Sequence, residues 1–221
     1  MKYIKNLFSS LKEIFIILIL EYILLISIIL IFGIEKATTY GTLILIIFFI
    51  IYILYKLRNE KITIKKGCYL PYILIGTSTA IMFNMIIFKC GIMFEVTADI
   101  PLWLNILSSS IISPIFEEVL FRYDFINKLK KFNSSNIVII LISSTVFGIC
   151  HNNIVTVIYA IVVGLINSYL YIKHNNLLIP IIIHMSGNLI VNFLFSYNVW
   201  ILILSIILFV ISGISIYKEK V

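Results

Sequence analysis

The sequence predicts an all-α, polytopic membrane helical bundle of about eight transmembrane helices. Three observations predict it. Of 221 residues, 62% are hydrophobic and the mean hydropathy is +1.13, well above the ~45–50% apolar content of soluble domains. Several apolar runs approach or exceed the ~20 residues that cross a hydrocarbon core. The runs are continuous rather than alternating, which excludes a β-barrel, and open sheet is excluded at that depth because its edges would leave backbone groups without partners. The net charge is +7. Its basic residues sit in short connections, which fits an orientation signal and not nucleic-acid binding.

The first element follows Lys2, Lys5 and Lys12 and runs apolar over 14–34. It is too long for a signal-peptide core and lacks a small-residue cleavage site, so an uncleaved span is expected. Glu21 lies inside it, where a lone acid is more often satisfied by a neighbouring helix than catalytic. A second span covers about 41–57, followed by a connection rich in Lys56, Arg58, Lys61, Lys65 and Lys66. The third, about 69–92, has Pro71 in its first turn, where proline is tolerated. The connection 93–101 carries Glu95 and Asp99.

The fourth span, about 102–126, contains Ser113-Pro114-Ile115-Phe116-Glu117-Glu118-Val119-Leu120-Phe121-Arg122. Each charge at this depth costs at least ~2.5–3.5 kcal/mol on insertion scales, so partners or a wet cavity are required. Glu118 and Arg122 are one helical turn apart and can neutralise each other. Glu117 points about 100° away from Glu118 and is left for other work; Pro114 should kink the helix just before it. Lys128, Lys130 and Lys131 follow, then the polar turn Asn133-Ser134-Ser135-Asn136. Spans five to eight are expected at about 137–151, 154–172, 177–196 and 199–217. With eight crossings the basic connections all fall on one side, which places both termini in the cytoplasm. His174, beside Lys173, reads as a solvated loop residue. Cys68, Cys90 and Cys150 read as small buried apolar residues and not as a disulfide framework or a ligand set.

Three polar clusters lie in spans four, five and seven: Glu117-Glu118-x-x-x-Arg122, Phe147-x-x-x-His151, and His184-x-x-x-Asn188. A glutamate can take a proton from water, a histidine can orient that water, and His with Asn can donate to a developing oxyanion. Glu117, His151 and His184 could equally bind zinc with an open fourth position. The cofactor is therefore none or zinc, and spacing does not decide between them. At ~1.5 Å rise per residue, Glu117 lies roughly 14 Å, His184 roughly 10 Å and His151 roughly 21 Å from the cytoplasmic ends of their spans. A shared site needs helix tilt, the Pro114 kink or a span five that starts below the membrane surface; the last two are expected, with a cavity open to the cytoplasm.

The ordered triple resembles the CPBP family: CAAX prenyl endopeptidases, bacteriocin-processing and immunity proteins, and abortive-infection proteins. The resemblance covers about 100–195. A glycine-rich family motif is matched in part by Gly164-Leu165-Ile166-Asn167-Ser168, with Ser168 where a second glycine is common. The resemblance implies an intramembrane endopeptidase: Glu117 as general base, His151 holding the attacking water, His184 and Asn188 stabilising the oxyanion, and Glu118, Arg122 and Phe147 in support. It implies a division into 1–100 without a recognised motif, a catalytic core at 101–196, and a last helix with a basic tail at 197–221. The expected partners are membrane lipid and a hydrophobic or lipid-tethered peptide or protein, with no nucleic acid, in a bacterial plasma membrane. A non-catalytic bacteriocin immunity or binding protein is the alternative. A proton-coupled transporter ranks below it, because no internal repeat is evident.

Overall fold

The computed structural model describes residues 2–92, 100–132, 135–194 and 196–219, with side chains from residue 7 onward. The connection carrying Glu95 and Asp99, the pair Asn133-Ser134, Lys220, and the side chains of Lys2 and Lys5 lie outside the described residues. The described residues are mostly helical, without strands, and 60–69 form an irregular connection. The helices are α1 (Lys2–Phe32), α2 (Ile34–Asn59), α3 (Leu70–Lys89), α4 (Leu102–Lys130), α5 (Asn136–Ile149), α6 (Ile154–His174), α7 (Leu178–Val191) and α8 (Val199–Lys218). All but α5 and α7 are long and apolar enough to cross a membrane. Outward-facing Ile16, Ile19, Ile23, Leu30, Ile203 and Ile207 stay exposed, as a lipid-facing surface requires. The protein is a multi-pass helical membrane protein.

The chain forms two compact units, Met1–Lys61 with Val96–Ile139, and Ile62–Glu95 with Ile140–Val221. In the first, α1 and α2 form an antiparallel hairpin around the single residue Gly33. Its φ of 75° and ψ of 164° suit glycine because any side chain would be strained there. Tyr52 of α2 donates a hydrogen bond to Glu13 of α1 at 2.8 Å, and Phe32 stacks on Tyr40 near the turn. α2 then runs parallel to α4: Phe49 stacks on Phe116 at 4.0 Å between ring centres, and Lys56, seven residues further along, reaches Asp124 at 2.9 Å.

α4 does not stop at Pro114. Ile112 and Ser113 keep helical dihedrals, but the winding opens into a π-helix over Ile106–Ile112, directly ahead of the proline. Proline lacks the N–H of a normal turn and its ring crowds the carbonyl four residues back. The wider winding admits the ring without ending the helix. A second π-helical stretch, Val119–Ile126, follows the glutamates; such bulges are frequent at functional sites.

In the second unit α3 packs on α7 and α8, and α6 packs on α7. Small residues set these contacts. A Cβ on Gly76 would sit 2.2 Å from both the Ile183 carbonyl oxygen and Ser186 Oγ, so α3 and α7 touch backbone to backbone. Gly164 lies so close to Ser144 that an added Cβ would stand 3.1 Å from its Cα. Ser144 Oγ donates to Ser168 Oγ at 3.5 Å. The serine at the partly matched glycine position thus links α5 to α6. This is the small-residue packing expected where lipid removes the hydrophobic drive for helix association.

Two expectations are corrected. Cys68 and Cys90 are exposed and Cys150 is half-buried, so the cysteines are not core residues. The first two flank the ends of α3, where helix packing does not reach. His174 is not simply solvated: its ring meets the Tyr72 ring edge-on at 6.0 Å, and its carbonyl accepts from Lys65 Nζ at 2.6 Å.

Candidate active site

The acidic residues lie in the first unit, on the turn of α4 between its two π-helical stretches. Glu118 and Arg122 are fully buried, with Arg122 Nε 3.1 Å from Glu118 Oε2. This is the ion pair that the i, i+4 spacing predicts. Glu117, the neighbouring acid, is half-buried. Phe116 holds the turn from the other side, with Phe49 stacked on it and Tyr52 edge-on at 5.2 Å.

One turn beyond Arg122 lies a cluster that sequence reasoning missed. Lys56, a fully buried lysine read beforehand only as part of a basic connection, pairs with Glu13 at 3.0 Å, Glu60 at 3.0 Å and Asp124 at 2.9 Å. Lys128 pairs with both Glu13 and Asp124. Three carboxylates and two ammonium groups tie α1 and α2 to the end of α4. A signal was available: Asp124 is an acid on a helix that already holds two, and needs cations from elsewhere.

The imidazoles lie in the second unit. α5 ends at Ile149, so His151 stands just past the helix, its N–H bonded to the Gly148 carbonyl at 3.0 Å. Its Nδ1 lies 3.0 Å from the Phe147 carbonyl oxygen. A carbonyl can only accept, so Nδ1 carries a proton in this contact, and Nε2 is the ring nitrogen not engaged by that carbonyl. The bond also satisfies one of the last-turn carbonyls that a helix end leaves open. The Phe147 ring meets His151 edge-on at 5.0 Å and His184 edge-on at 5.7 Å. One buried benzyl ring therefore positions both imidazoles. His184 is buried on α7, with half-buried Asn188 one turn on. Asn192 donates to the Asn188 carbonyl at 3.0 Å where α7 ends, short of the expected 196. Asn167, buried on α6, donates to the Pro180 carbonyl at 3.3 Å and braces the start of α7.

The structure thus joins Glu118 to Arg122 and groups Phe147 with His151 and His184. The acids belong to one unit and the imidazoles to the other. Among the described residues, no three His, Cys, Asp or Glu side chains form a group placed to hold a metal ion.

These features define a class: a multi-pass helical membrane protein with ionisable and imidazole side chains within its apolar helices. Residues 99–190 match the model for the Type II CAAX prenyl endopeptidase Rce1-like family, which is the CAAX-protease grouping that the motifs resemble. The match spans every motif residue from Glu117 to Asn188 and leaves α1, α2, α3 and α8 outside it. No curated protein and no solved structure matches the chain.

Proposed function

We propose that the chain is an intramembrane endopeptidase that hydrolyses a peptide bond of a membrane-associated peptide or protein. The observation that carries this reading is the family match over 99–190, which contains all three motifs in order. In this reading Glu117 takes a proton from a water that attacks the scissile carbonyl, then delivers it to the leaving amine. His151 accepts a hydrogen bond from the same water through Nε2. His184 and Asn188 donate to the oxyanion. Glu118 and Arg122 neutralise each other, so Glu117 is the acid left for proton transfer. Residues 101–196 form the catalytic core, and both termini face the cytoplasm of a bacterial plasma membrane.

The test uses wild-type protein and Glu117→Gln in lipid vesicles, each given a prenylated C-terminal peptide and an unprenylated hydrophobic peptide. Loss of the base lowers cleavage by about 10²–10⁴-fold. Cleavage at the wild-type rate in the variant overturns the reading. If the wild-type protein cuts neither peptide, the non-catalytic binding protein takes its place. A water activated by glutamate alone also predicts that cleavage survives exhaustive chelation, with zinc by elemental analysis well below one per chain.

A further inference from the structure

Where α2 leaves the apolar layer, its faces differ. Tyr52 and Lys56 turn inward, Tyr52 donating to Glu13 and Lys56 pairing with Glu13, Glu60 and Asp124. Another face of the same turns carries Ile51, Leu54, Tyr55, Arg58 and Asn59, at the three- and four-residue steps that align side chains along a helix. All five are exposed, and together they line a groove of about 400 Å³. The groove changes character along its length. Ile51, Leu54 and the Tyr55 ring are apolar, whereas the Tyr55 hydroxyl, Arg58 and Asn59 supply hydrogen-bond donors.

These donors are not taken up by the protein itself. Among the described residues no carboxylate pairs with Arg58, and the acid nearest in sequence, Glu60, is turned to Lys56. Asn59 gives one N–H to the Tyr55 carbonyl at 2.8 Å, which leaves its second N–H available. The helix sets the depth of these groups. Glu35 and Lys36 mark one end of its apolar stretch. Counted from Ala37, the ~20 residues that cross a hydrocarbon core end near Lys56, and Arg58 and Asn59 fall in the polar layer just beyond. Tyr55 sits at the boundary, where tyrosines are enriched. At that depth a bilayer presents phosphate to Arg58 and acyl chain to Ile51 and Leu54.

We propose that this groove binds one anionic phospholipid, its phosphodiester on Arg58, with Tyr55 and Asn59 as further donors and an acyl chain along Leu54 and Ile51. Charge and shape select that occupant together. A guanidinium can meet phosphate oxygens through two parallel N–H groups. A headgroup without a cation leaves its phosphate charge uncancelled, whereas a choline headgroup carries its own counter-charge. A free phosphate would fill only the polar end, and a hydrophobic peptide only the apolar end. Occupancy has a consequence within this unit. α2 also carries Phe49 against Phe116 and Lys56 against Asp124, so a lipid held at Arg58 steadies the helix that supports the glutamate-bearing turn of α4. The site involves no peptide-bond chemistry and stands apart from the proposed protease activity.

The test places the purified full chain in micelles holding equal amounts of phosphatidylglycerol and phosphatidylcholine with identical chains, and counts the retained lipid by native mass spectrometry. Wild-type protein should retain phosphatidylglycerol about fivefold over phosphatidylcholine. Arg58→Gln should bring the ratio to near one, and Arg58→Lys, which keeps the charge but not the planar fork, should fall between. Lys61→Gln removes the same charge three residues on, at an exposed residue outside the groove, and should leave the ratio near its wild-type value. Leu54→Gln should lower retention of phosphatidylglycerol with every charge unchanged. Excess glycerol phosphate, which has a phosphate but no acyl chain, should not displace the lipid. A wild-type ratio near one, or a ratio unchanged in Arg58→Gln, overturns the proposal. An equal fall in Lys61→Gln overturns it in favour of general surface charge, and displacement by glycerol phosphate overturns it in favour of a free-phosphate site. None of these measurements depends on cleavage.

Discussion

The two units hold their polar residues by opposite means. In the first, charge is answered by charge: Glu118 by Arg122, and Glu13, Glu60 and Asp124 by Lys56 and Lys128. In the second, two imidazoles are held by the edge contacts of one phenylalanine and by a backbone carbonyl, on helices packed through Gly76, Gly164 and Ser168. The difference follows from what each group costs to bury. A carboxylate or guanidinium needs a counter-ion in the same low-dielectric space. A neutral imidazole needs one hydrogen bond and a surface to lie against. The acidic half should therefore fail by electrostatics and the imidazole half by loss of shape.

Substitutions can break that comparison, and the largest effect is expected at Arg122. Arg122→Leu leaves Glu118 buried without its counter-ion and should cost about 3–5 kcal/mol, whereas replacing both Glu118 and Arg122 by Leu should recover most of that. Thermal unfolding in one detergent compares the two, and equal losses would end the electrostatic account of this half. Gly76→Val forces a side chain into the Ile183 carbonyl and should cost about 1–3 kcal/mol by overpacking. The same assay should show no rescue by any charge change. Phe147→Leu should lose about 0.5–1.5 kcal/mol for each ring contact and raise the mobility of both imidazoles in histidine-labelled NMR spectra. Ser168→Ala, which removes one interhelical hydrogen bond, should cost only about 0.6 kcal/mol. A much larger loss would mean that the second unit also depends on polar pairing.

Much of this was legible in the sequence because lipid simplifies the rules. Apolar runs gave the helices, with the sixth and eighth placed within two residues and the third within three of where the structure has them. The Glu118–Arg122 pair followed from a single helical turn. The charged cluster around Lys56 was not legible as a whole: Lys56–Glu60 and Asp124–Lys128 are single helical turns, but no local spacing connects those two pairs to each other or to Glu13. Lys56 and Lys128 looked like topology signals, since a lysine near a helix end looks the same whether it meets water or a carboxylate. The π-helical windings around Pro114 and Arg122 were hidden as well: the sequence marks where a helix is strained but not how it relaxes. The role of Phe147 as a shared surface for both histidines required knowing that α5 and α7 are neighbours of one ring.

The one-residue turn at Gly33 has a bearing on how the protein is made. With helices of 31 and 26 residues on either side, α1 and α2 are long enough to enter the bilayer as a folded pair, both ends emerging on the same face. The Glu13–Lys56 contact closes the open end of that pair, so part of its charge is cancelled before α4 is synthesised. Biogenesis can then proceed from a hairpin whose open end already carries an ion pair, to which the later, acid-bearing helix adds Asp124 and Lys128.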